Sequence, residues 1–146
     1  KNKCLYTGDP KGDGTGGESV FQDENGRVQP FEDEYSMDLW HFNGALSMVN
    51  DGAEDNNGSR FCFVQSSSVN ADMLLEMKNI GFPSNVILKY AGVGGAPWLD
   101  TKQVVFAQVY DGLDVLDAIA AVKVDENGVP KENVVINSMS VEKYQG

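Results

Sequence analysis

The sequence predicts a single, mainly β domain carrying three helical pieces, and three observations predict it. Short apolar runs rich in Val, Phe and Tyr recur at 45–49, 60–64, 103–110 and 134–139, each bounded by Gly, Asn, Asp or Pro. Apolar residues recur at helical spacing in Met73, Leu74, Met77 and Ile80, and again in Leu113, Leu116, Ile119 and Ala120. A chain of 146 residues is one domain by length and long enough for its own core.

Taken in order, the glycine-rich stretch 8–17 comes first. Gly12-Asp13-Gly14-Thr15-Gly16-Gly17 satisfies the dinucleotide pattern formally, but that reading needs a helix to open from it. No helical periodicity follows, so a tight surface loop is expected. Asp9 and Asp13 are too few for a calcium loop, because Lys11 stands at an intervening ligand position. Phe31 and Tyr35 alternate with acids and are expected to point inward. The single histidine, His41, is read as structural.

The run 44–64 should form two short strands around an acidic loop that closes on Asn57-Gly58, a dipeptide that readily adopts positive φ. Asn57-Gly58-Ser59 also spells a glycosylation sequon, read here as part of the turn. Asn70 is a plausible cap for the helix that presents Met73, Leu74, Met77 and Ile80, with Gly81 as its stop. Pro83-Ser84 starts a second helix through Tyr90, and methionines at this spacing are read as core. The run 103–110 reads as a buried strand, a helix follows Gly112, and 134–139 alternates as a final strand.

Composition narrows the classes. The formal net charge is −11 and the pI about 4.3, which argues against a nucleic-acid footprint. No apolar run approaches the ~18 residues of a membrane span. Two cysteines make no disulfide framework, and neither a metal nor a cofactor is expected. No signal peptide is visible, and there is no initiator Met. Location is therefore open: the cytoplasm is the working expectation, and a secreted or lipid-anchored parent stays possible. A monomer is expected.

Four segments in this order, GDPKGDGTGGES, FEDEYS, GALSMVNDGAEDNNGSRFCFV and PWLDTKQVVFAQVYDGLDVLDAI, resemble the cyclophilin family of peptidyl-prolyl cis-trans isomerases. The resemblance covers most of 1–146 as one domain. It implies a closed antiparallel β-barrel capped by helices, with a helical insert at about 69–95 like that of some bacterial members. It further implies that the family's first strands, first helix and catalytic arginine are missing from this chain; they are expected upstream in a longer parent, the alternative being that this chain has lost them.

The resemblance also names a groove for proline-containing peptides or unfolded clients. Trp98 and Leu99 match the pocket tryptophan and leucine, and Asn50 the backbone-binding asparagine. Gln103 stands where the family has histidine, Arg60 and Tyr6 replace glutamines, and Val49 and Asp51 replace alanines. Cys62 and Cys4 replace a pocket phenylalanine and methionine, and Lys3 a phenylalanine. Arg60 and Gln103 are the catalytic candidates, although Arg60 could instead pair with Asp51, Glu54 or Asp55. Cys4 and Cys62 could lie close enough to bridge. The expected function is peptidyl-prolyl isomerisation that assists folding. The alternatives are a non-catalytic prolyl-peptide module on the same fold, or a domain docking a partner through Met73, Leu74 and Met77.

Overall fold

The computed structural model describes residues 4–145, so Lys3 lies outside the described residues. The elements are β1 (Cys4–Thr7), β2 (Ala45–Met48), β3 (Phe61–Val64), α1 (Ala71–Asn79), α2 (Ser84–Val93), a 3-10 turn (Pro97–Leu99), β4 (Val105–Gln108) and α3 (Leu113–Ala120). The strands form one antiparallel sheet in the order β1-β3-β2-β4. No helix is long and apolar enough to cross a membrane among the described residues.

Register decides the two faces, because side chains alternate along a strand. Tyr6 pairs with Cys62 and Cys62 with Ser47, so those side chains share one face with Cys4, Ala45, Val64 and Val105. That face is covered: Ala45, Ser47, Cys62 and Val64 are fully buried. The other face carries Leu46, Met48, Phe61 and Phe63, all half-buried. Phe61 meets Phe63 and Phe106 edge-on at 5.6 and 5.9 Å. The fold is that of an antiparallel sheet with flanking helices, and among the described residues no ladder joins β1 to β4 to close it.

Several expectations change. The strand expected at 103–110 shortens to β4 and is not buried throughout, because it is an edge strand whose Phe106 is 48% exposed. The strand expected at 134–139 forms no ladder, and Val134, Val135, Ile136 and Met139 are exposed. Alternation alone does not make a strand without a neighbour to take its hydrogen bonds. Tyr35 is exposed, while Phe31 packs edge-on against Phe21 at 5.8 Å.

The helical pair forms as expected and builds a second core. The Asn70 side chain accepts from the Met73 amide at 2.8 Å, and Gly81 adopts φ 90° beyond the last turn. Met77 and Tyr90 are buried, with Met73 and Leu74 packed on them, so these side chains are core and offer no docking patch. Ile80 departs from that face: it is the C-cap residue and exposed. Helix α2 also runs past Tyr90 to Val93.

Candidate active site

The loop between β2 and β3 is shaped by Asp33. Its Oδ1 accepts from Asn57 Nδ2 at 2.9 Å and Asn50 Nδ2 at 3.4 Å, and its Oδ2 accepts from the Asp55 amide at 2.9 Å. The Asp33 amide in turn donates to Asp55 Oδ1 at 2.8 Å. Partial burial raises the Asp33 pKa, but these donors outweigh it and hold the carboxyl below its ordinary range. Asn50, 2% exposed, is engaged inside the loop. Its Oδ1 accepts from the Gly52 amide at 3.1 Å, and Nδ2 also reaches the Lys102 carbonyl at 3.4 Å.

Of the two readings of Arg60, the geometry follows the ion pair. Nη1 donates to Asp51 Oδ1 at 3.0 Å and to the Gly14 carbonyl at 2.6 Å, and Nη2 donates to Asp51 Oδ2. Its side chain is only 16% exposed, because its stem crosses Gly17. A Cβ on Gly17 would stand 2.6 Å from Arg60 Cγ. The glycine-rich loop is therefore a seat for Arg60 and not a phosphate cradle.

An apolar floor gathers Cys4, Val49 and Cys62 with Ala45, Val64, Ala96 and Val105, and Leu99 packs onto it. Trp98, next in the Pro97–Leu99 turn, is 41% exposed. The two thiols are free, and they interact. Hydrogen bonding to Cys4, then burial, pushes the Cys62 thiol up, so it stays protonated. Tyr6 lies beside them with its side chain largely outward. Partial burial, then the neighbouring cysteines, raises its phenol to about 12.

Gln103 is half-buried and belongs to a network that the sequence reading missed. Asp100 accepts from the Tyr90 hydroxyl at 2.6 Å, from His41 Nδ1 at 2.7 Å and from the His41 amide at 3.0 Å. Burial, then the bond to Asp100, pushes the Tyr90 phenol well up, so it remains a donor. With Nδ1–H given to the carboxylate, Nε2 of a neutral imidazole accepts, and Ser47 Oγ stands 2.8 Å from it. Ser47 Oγ also lies 3.4 Å from Gln103 Oε1. The only legible signal was a lone histidine near Gly44.

Two cavities flank these groups. One of about 150 Å³ is lined by Gln103 with Tyr35, Trp40, His41 and Asp100. The other, of about 240 Å³, lies on the half-buried sheet face between Phe31, Met48, Asn57 and Phe106. Neither is lined by Val49, Cys62, Trp98 or Leu99.

Comparison with known proteins places the chain. The family model described as "Cyclophilin type peptidyl-prolyl cis-trans isomerase/CLD" matches residues 1–141. A Staphylococcus saprophyticus protein named "Putative peptidyl-prolyl cis-trans isomerase" is 40% identical over 137 residues, covering 94% of this chain and 66% of its own length. A Staphylococcus aureus (strain USA300) protein of the same name is 41% identical over 139 residues, covering 95% and 67%. The chain thus spans about two thirds of the curated relatives it matches. A Cryptosporidium parvum cyclophilin type isomerase, crystallised in the presence of the dipeptide Ala-Pro, superposes with a TM-score of 0.62 at 23% identity, covering 90% of this chain and 63% of that one. The motifs, the antiparallel fold and these matches agree: the chain belongs to the cyclophilin-type peptidyl-prolyl cis-trans isomerase family.

Proposed function

We propose that this chain forms the prolyl-peptide groove of a peptidyl-prolyl cis-trans isomerase that acts on X-Pro bonds of peptides or unfolded proteins. The observation that carries this is the exposed Trp98 indole standing beside Leu99, which is seated on the Cys4–Val49–Cys62 floor. An aromatic edge open to solvent beside a half-buried leucine, backed by a closed apolar core, suits a five-membered ring that carries no N–H. The Ala-Pro present with the Cryptosporidium relative supplies the ligand chemistry to test.

The chemistry breaks no bond. The barrier of ~18–20 kcal/mol is amide resonance lost as the C–N bond twists. The cis–trans preference at X-Pro is only about 0.5–1 kcal/mol, so the task is kinetic. Burying the ring holds one side of the bond still. A donor aimed at the nitrogen as it turns pyramidal stabilises only the twisted state, and so raises the rate. Gln103 is assigned to substrate contact: its Oε1 faces Ser47, which leaves the donating end of its amide facing away from Ser47. Arg60 holds the glycine-rich loop against Asp51, and its side chain supports the wall of the groove.

Cys62 is fully buried and Cys4 nearly so, so the side chains at these two positions offer a peptide less apolar surface than phenylalanine and methionine could. The lost apolar contact is about 1–3 kcal/mol, so weak peptide affinity is part of the reading. NMR exchange spectroscopy on an Ala-Pro-containing peptide tests it. Accelerated cis–trans exchange with the protein, lost in Trp98→Ala, is expected. No acceleration and no chemical-shift change at millimolar peptide would end it.

A further inference from the structure

We infer that Tyr90 and His41 are positioning residues for the groove, acting through Asp100 on the Trp98 turn and through Ser47 on Gln103. The inference rests on the prolyl-peptide reading and deepens it by naming what holds the site in shape.

Asp100 directly follows the Pro97–Leu99 turn and is buried. Three donors converge on its carboxylate, one from α2 and two from His41. The His41 carbonyl returns the contact by accepting from the Ala96 amide at 2.8 Å, just before the turn. The turn that bears Trp98 and Leu99 is therefore clamped at both ends, by His41 before it and by His41 and Tyr90 of the second core after it. The clamp is directional. A carboxylate that accepts three hydrogen bonds inside the protein has few other orientations available.

The second arm runs through one proton. Ser47 Oγ has a single hydrogen and three acceptors in reach: His41 Nε2 at 2.8 Å, the Met48 carbonyl at 3.4 Å and Gln103 Oε1 at 3.4 Å. In the neutral tautomer with its hydrogen on Nδ1, facing Asp100, Nε2 presents its lone pair to the Ser47 hydroxyl. Without Nε2 that hydrogen is released toward Gln103, and the amide meets a different partner. Neither Tyr90 nor His41 has to touch a peptide for its loss to reach the groove.

Two variants separate the arms. Tyr90→Phe keeps the ring that packs against Phe42 at 4.6 Å and deletes only the hydroxyl. His41→Asn retains an N–H near the Nδ1 position and deletes the Nε2 acceptor. The readouts are ¹⁹F NMR of 5-fluorotryptophan-labelled protein, with the Trp98 line told apart from that of Trp40 by a Trp40→Phe background, and kcat and KM for an X-Pro peptide, with circular dichroism as the check on folding. Tyr90→Phe is expected to move the Trp98 resonance in the free protein and raise KM about fivefold, the scale of one positioning hydrogen bond. His41→Asn is expected to leave that resonance in place while changing kcat/KM by a similar factor. Folded variants that lose only thermal stability, with resonance and kinetics at wild-type values, overturn the inference. If the wild-type protein turns over no peptide, the functional reading falls alone. The free-protein resonance of Tyr90→Phe still decides the clamp: a shift supports it and an unmoved line overturns it.

Discussion

Arg60 and Asp51 meet face to face at the base of the β2–β3 loop, with a separate guanidinium nitrogen on each carboxylate oxygen. Asp51 holds this position in left-handed backbone, at φ 56°. The bond to Asp51 leads in raising the Arg60 pKa further above its ordinary value. The pair therefore fastens the β2–β3 loop to the glycine-rich loop, since the same guanidinium also reaches the Gly14 carbonyl. Arg60→Ala should lower stability by about 1–2 kcal/mol, the range for a charge-assisted bond with partial exposure. Urea midpoints measure this, and turnover should stay within about threefold of wild type, as expected of a group outside the reacting atoms. A hundredfold loss of turnover in a folded variant would return Arg60 to the catalytic role.

Acid should loosen the same loop through Asp33. Its folded-state pKa lies below the ordinary carboxylate value of about 3.9. The stabilisation is present above that value and is lost as pH falls through the lowered one, since the unfolded state takes up the proton first. Asp33→Asn should thus have a lower urea midpoint than wild type at pH 7, with the gap closing below about pH 4. A gap that stays constant with pH would show that the carboxylate charge is irrelevant there.

Gly58 faces the glycine-rich loop at a distance that excludes any side chain. A Cβ at that position would stand 2.0 Å from the Gly17 carbonyl oxygen, and the Ser59 amide donates to that same oxygen at 3.1 Å. Both loops must separate to admit a methyl group. Gly58→Ala should cost about 2–4 kcal/mol, read as a shift of the urea midpoint. A variant as stable as wild type would mean the loops are not held together.

The thiol pair makes a chemical prediction. Cys4 and Cys62 are both buried and both reduced. Thiolate is the reactive form, and burial next to Cys4 keeps Cys62 protonated. A disulfide-exchange reagent should therefore report two thiols in denaturant and far slower reaction in the native state. Finding no titratable thiol after unfolding without reductant would show that the pair bridges.

Much of the fold was legible because its signals are local. The Asn70 cap and the Gly81 stop rest on residues a few positions apart, and each forms where the spacing places it, whereas the β2–β3 loop takes its left-handed turns at Asp51, Gly52 and Asp55 and not at the expected Asn57-Gly58. The motifs carrying the family resemblance were equally plain. Less legible were the fates of single polar groups. Asn50 matched a ligand-binding position by sequence, yet its side chain bridges Asp33 and Lys102, 17 and 52 positions away. The exposure of 134–139 was also hidden, since alternation is the same whether or not a partner strand is present.

By itself the chain's order of residues determined the short strands and the helical pair, because periodicity, caps and turns act over one or two turns of backbone, and its four motifs carried the family resemblance. Only the tertiary structure decided that Arg60 closes on Asp51, that Cys4 and Cys62 share a floor, and that a histidine and an aspartate 59 positions apart meet in the core. The physical reason is burial. A polar group withdrawn from water must find its partner wherever the fold brings one, and sequence distance has no bearing on which group that is.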